Sequence, residues 1–152
     1  MKQYGIIGGI LLVLFGGVYI VSLFATKPDT HKRVSADIRG QEVTLMVSDT
    51  ELLREQGLGG YTGLGSREGM LFIFEKMDRQ GFWMKDMLFP MDIMWLDGEF
   101  RVISLEKNIA PETYPKIFFP KVPSLYAIEF SAGTLTQLGV EIGDLVRMHG
   151  GK

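Results

Sequence analysis

Residues 4–25, YGIIGGILLVLFGGVYIVSLFA, run for 22 positions without a charged side chain. At about 1.5 Å per residue such a helix spans roughly 33 Å, enough to cross a bilayer core. Apolar side chains occupy every face, so the run does not read as the half-buried helix of a globular domain. A cleaved signal peptide is the rival reading. Its apolar region usually covers about 7 to 15 residues and ends in a small-x-small site. This run is longer, and Leu23 would hold the −3 place if Ala25 were the last residue removed. Residues 1–26 therefore read as a transmembrane anchor or uncleaved signal, with residues 4–25 in the membrane. Charge bias does not orient it, because Lys2 precedes the run while Lys27, Lys32 and Arg33 follow it, diluted by Asp29.

Residues 27–33, KPDTHKR, are polar and contain Pro28, which reads as a linker. From Val34 the pattern changes. Residues 34–38 and 41–47 alternate in strand fashion around Arg39-Gly40, predicting a hairpin. Ser48 and Glu51 have capping-box spacing, and a short helix over 50–56 is expected, ended by Gly57. Further strands are expected over 70–74, 82–87, 92–96, 100–106, 125–130 and 145–148, with Asp97-Gly98 as a hairpin turn. A second short helix is expected over 134–138. The order does not alternate strand and helix as a doubly wound fold would. Residues 34–149 thus predict a mainly β, compact barrel- or sandwich-like domain with two short helices.

Composition narrows the chemistry. Formal net charge is −2, and no basic stripe argues for nucleic acid. With no cysteine, thiolate nucleophiles and cysteine metal sites are excluded. The two histidines, His31 and His149, stand at either end of the domain, so neither a metal site nor a Ser-His-Asp triad is expected. The glycine-rich stretch 57–69 lacks a phosphate-binding pattern: Glu68 falls where G-x-G-x-x-G needs its last glycine, and no G-K-[ST] occurs. No cofactor is expected.

Charged groups inside apolar runs remain. In 81–99, GFWMKDMLFPMDIMWLDGE, Lys85, Asp86 and Asp92 are set among aromatic and apolar residues. Charges are rarely buried without partners. An extended 82–87 would put Trp83 and Lys85 on one face, with the lysine stem along the indole, and Asp86 on the other. The run predicts that Lys85 and Asp92 are partly buried and satisfy one another, directly or through one intermediary. Arg54 and Glu129 complete a candidate polar cluster, either structural or ligand-binding. Residues 108–124 carry four prolines. Tyr114, Phe118 and Phe119 on that segment could grip a sugar or peptide, or fold back over one end of the sheet.

The stretches GMLFIF, FWMKDMLFPMDIMWLDG, YAIEFSAG and LGVEIGD together resemble a bacterial and archaeal family called domain of unknown function 192. Its pattern runs approximately G-L-M, G-M-L-F, F-W-M-K-N-T, P-L-D-I, a Y-P loop, Y-V-L-E-x-x-A-G and G-I-x-x-G-D. The match covers most of 34–149 in the same order. Two departures stand out: G-L-M is Gly57-Leu58-Gly59 here, and N-T is Asp86-Met87. The resemblance implies a small, mainly β domain, often exported, with no catalytic residues to carry over. Three functions follow as expectations. The first is a membrane-anchored, extracytoplasmic binding or assembly module at the cell envelope, its partner an envelope polymer or protein. The second is a metal-independent, possibly hydrolytic enzyme using Lys85, Asp92 and Glu129. The third is a purely structural domain.

Overall fold

The computed structural model describes residues 31–149. The expected membrane helix and the first part of the linker lie outside the described residues. Strand β1 (Arg33–Ile38) turns through Arg39 and Gly40, both at positive φ (55° and 78°), into β2 (Gln41–Ser48). Two consecutive positive φ values match the right-handed twist of the paired strands, as the Arg-Gly turn predicts. The ladder already includes Arg33, and the Lys32 carbonyl accepts the Val47 amide at 2.8 Å.

Helix α1 (Glu51–Gln56) follows, then β3 (Glu68–Asp78), β4 (Phe82–Trp83), β5 (Met91–Leu96), β6 (Val102–Ile109), β7 (Ile117–Phe118), β8 (Ser124–Ser131), α2 (Thr134–Gln137) and β9 (Val146–Met148). Seven strands form one sheet in the order β6-β5-β8-β3-β2-β1-β9, and β4 pairs with β7 in a separate ribbon. The sheet is a curled half-barrel, so the mainly β expectation holds, with its two short helices in place. Arg101 bridges to Leu145, and Val102 N donates to the Asp144 carbonyl at 2.9 Å. The far strands thereby meet at one corner.

Three local expectations change. The α1 cap is Thr50, whose side chain accepts from Leu53 N, rather than Ser48. Ser48 is fully buried instead, with its hydroxyl 3.1 Å from the Met70 sulfur. The expected strand over 82–87 stops after Trp83. A turn replaces it: Met87 N donates to the Met84 carbonyl, and Asp86 sits at φ 57° with its carbonyl accepting from Gly60 N. Finally, β2 and β3 are parallel, joined through α1 and the glycine-rich stretch. A parallel pair needs such a crossover, which strand-by-strand reading does not reveal.

Because side chains alternate across a strand, the sheet carries a core on each face. One face holds Leu45, Leu71, Met94, Leu96, Ile128 and Phe130, sealed by Leu135 of α2 and by Leu138 just after it. The other holds Met46, Met70, Phe72, Ile93, Trp95 and Ala127, covered by Leu58, Phe82 and Met84. At Gly69 an added Cβ would come within 2.7 Å of both the Glu129 carbonyl and the Phe130 ring, so β3 and β8 approach where only glycine fits. Both cores are built within 31–149. A fragment spanning 28–152 is therefore expected to fold without the apolar run. Far-UV circular dichroism should show strand structure and a cooperative melt; a soluble aggregate without a transition would contradict this.

Candidate functional site

The second face opens into a cleft of about 980 Å³. One wall is α1 and the turn after it. The other is the segment from Gln80 to Met87, and the floor comes from β3 and β8. Four members of the polar cluster expected from sequence line it: Arg54, Trp83, Lys85 and Glu129. They arrive from three distant stretches of chain. Two of those stretches, around Trp83-Met84-Lys85 and Ala127-Ile128-Glu129, belong to the segments that carry the family resemblance.

Glu129 lies deepest. It sits mid-strand in β8, flanked across the ladder by Met70 of β3 and Ile93 of β5. Its residue exposure is 6%, and among the described residues no hydrogen bond or ion pair reaches its carboxyl group. Burial pushes its pKa up from 4.5 to about 8, because the ionised form loses water and gains no partner. At neutral pH the empty site therefore holds a largely neutral carboxylic acid. Phe72, Phe82 and Trp95 pack edge to face beside it, at 4.9 and 5.8 Å between centroids.

Arg54 is half-buried and tethered. One guanidinium nitrogen donates to the Asp49 and Ile73 carbonyls at 2.9 and 2.8 Å, and the group lies 5.7 Å from the Phe74 ring centre. It braces the end of α1 against β3. Trp83 is 49% exposed at the rim. The Lys85 ammonium lies 5.8 Å from its ring centre, so lysine and indole stay neighbours even though the strand has ended.

The expected Lys85–Asp92 pair does not exist. Lys85 is exposed, whereas Asp92 is completely buried. Asp92 faces the opposite core, and its two oxygens accept from Asn108 N and Leu135 N, each at 2.9 Å. One carboxylate thus holds the end of β6 and the first turn of α2. Backbone amides, not an ammonium, are its partners, and sequence cannot show a backbone donor brought in from 43 residues away. Asp86 is likewise outside the cleft, exposed on the turn.

The aromatic segment folds back through β7. Phe82 pairs with Phe118 and Trp83 with Ile117. Tyr114 meets Trp83 edge on at 6.0 Å, and Phe119 lies 5.9 Å from the Arg79 guanidinium. Tyr114 and Phe119 remain about half exposed, Tyr114 extending the Trp83 rim outward, while Phe118 is partly buried. Sequence reading passed over Glu51, Glu55, Glu75 and Lys76, which also line the cleft. The Glu51/Glu55 spacing puts both on one face of a helix, and that signal was available. Among the described residues no group of three or more His, Asp or Glu side chains is placed to hold a metal.

Two solved structures share this fold. A chain from Sinorhizobium meliloti 1021, described as a candidate transcription regulator, superposes with a TM-score of 0.73 at 25% identity, covering 78% of this chain and 95% of its own. A protein of unknown function from Novosphingobium aromaticivorans DSM 12444 superposes with a TM-score of 0.70 at 26% identity, covering 81% and 91%. No curated protein matches. The model of domain of unknown function 192 (DUF192), described as Uncharacterized ACR, matches residues 33–148, and the chain belongs to that family.

Proposed function

We propose that the protein is a single-pass membrane protein that holds its β domain outside the cytoplasmic membrane, where the cleft binds a ligand of the cell envelope. The observation that carries the binding reading is the carboxyl group of Glu129, on a residue only 6% exposed, which meets the floor of an aromatic-walled cleft with no hydrogen bond or ion pair from the described residues. Such a group lowers stability in the empty protein, which a purely structural domain has no reason to retain. The uncharged run of 22 residues supports the anchor, and the exported habit of the family supports the orientation. The hydrolytic reading needed Asp92 beside Lys85 and Glu129, and Asp92 is bound to backbone on the other face. A formal net charge of −2 gives no support to carrying over the transcription-regulator description of the S. meliloti protein.

Two measurements test this. Protease added to intact spheroplasts should digest the domain, and protection until lysis would reverse the orientation. Purified insoluble peptidoglycan should retain the protein on sedimentation. Trp83→Ala, which removes the aromatic rim while leaving the core, should lower the retained fraction at least fivefold. Equal sedimentation of both proteins would remove the cleft from the interaction.

A further inference from the structure

Resting on the reading of the cleft as a ligand site, we infer that its ligand presents a primary alkylammonium group, with Glu129 as the counter-ion and the rings of Phe72, Phe82 and Trp83 as an apolar sleeve. The floor group is an orphan: 6% exposed, without hydrogen bond or ion pair, and opening into the cleft. What it lacks is a donor carrying positive charge. An ammonium supplies both, with three N–H donors on a compact head. The walls suit the remainder of such a ligand. Aromatic faces attract a cation passing over them and take up the methylenes behind it.

The protein's own cations do not fill this role. Arg54 directs one guanidinium nitrogen to the Asp49 and Ile73 carbonyls and makes no bond to Glu129, and the Lys85 ammonium lies against Trp83 at the exposed rim. Facing the cleft are Glu51, Arg54 and Glu55 of α1, Glu75 and Lys76 of β3, and Lys85 after β4. With Glu129 ionised, acidic groups outnumber basic ones by four to three. The cleft thus carries a net negative charge only when Glu129 has lost its proton, so ammonium binding and proton release are coupled.

Both tryptophans of the chain report on the site, since Trp83 lines it and Trp95 packs on Phe82. The test titrates n-butylammonium chloride, n-butanol and sodium butyrate into the full-length protein in a non-ionic detergent, read by tryptophan fluorescence. Butylammonium should give a saturable response. Its apparent affinity should rise close to tenfold between pH 6.5 and 7.5 and level off above pH 8, because the probe stays cationic to about pH 10. Glu129→Gln should abolish that pH dependence and weaken binding at least tenfold at pH 8.5, while still melting cooperatively. Equal, pH-independent responses to butanol and butylammonium would overturn the ammonium assignment and leave a ligand cleft standing. No saturable response to any probe would overturn both. Should Glu129→Gln fail to fold, the pH dependence of the unaltered protein alone decides.

Discussion

Replacing Glu129 by glutamine is expected to stabilise the domain at neutral pH by about 2 to 3 kcal/mol. The carboxyl titrates near 4.5 in the unfolded chain and near 8 when folded. Between those values the folded state binds more protons than the unfolded state, so stability falls as pH rises. The loss begins near pH 4.5, grows by about 1.4 kcal/mol per pH unit and levels off near pH 8. By pH 7 it amounts to roughly 3 kcal/mol. Glutamine carries no charge to desolvate, though its amide leaves part of its hydrogen-bonding capacity unmet at a cost of about 1 kcal/mol. Urea denaturation of fragment 28–152 at pH 4, 6, 7 and 8.5 measures the difference between the two proteins. It should widen with pH and vanish or reverse near pH 4. A constant difference across the range would mean that Glu129 ionises in the fold as readily as in the unfolded chain, and that burial does not raise its pKa.

The opposite sign is expected at Asp92. Its carboxylate satisfies two backbone amides in a fully buried position. Asp92→Ala strands both donors and should cost on the order of 3 to 5 kcal/mol. Asp92→Asn keeps one acceptor but turns an NH₂ toward an N–H, at about 2 to 3 kcal/mol. Lys85→Met, at an exposed position, should change stability by less than about 0.5 kcal/mol. In a double-mutant cycle the Lys85 and Asp92 effects should add, since no contact joins them. A coupling above about 1 kcal/mol would restore the ion pair that sequence suggested.

These two carboxylates show where sequence reading succeeds and where it stops. The Arg39-Gly40 turn, the short α1 and most of the alternating strands follow from local chemistry and are found close to where it puts them, the strand expected over 82–87 excepted. Lys85 and Asp92 are seven positions apart and both sit in an apolar run, which by itself favours pairing them. The side to which each points depends on a break after Trp83, where Asp86 adopts positive φ and the alternation resets. No residue in the run announces that break. Glu129 had the reverse fate: it stood out as an acid in an apolar strand, but its isolation follows from Met70 and Ile93 flanking it, a matter of sheet order. The parallel pairing of β2 and β3 is also a long-range outcome, settled by how α1 and the glycine-rich turn cross between them.

The ribbon of β4 and β7 ties one wall of the cleft to the body differently from its floor. Glu129 is anchored in β8, whose ladder partners are β3 and β5 within the seven-stranded sheet. Trp83 belongs to a two-residue strand whose ladder partner is β7, outside that sheet. Its attachment to the main body runs through ring contacts of Phe82 with Phe72 and Trp95 and a bond from Trp95 Nε1 to the Gln80 carbonyl. The aromatic rim can therefore shift outward without breaking one rung of the main ladder. On the proposed ammonium reading, ligands of different girth would meet the same floor, so selection for charge would sit at the base and tolerance for bulk at the mouth.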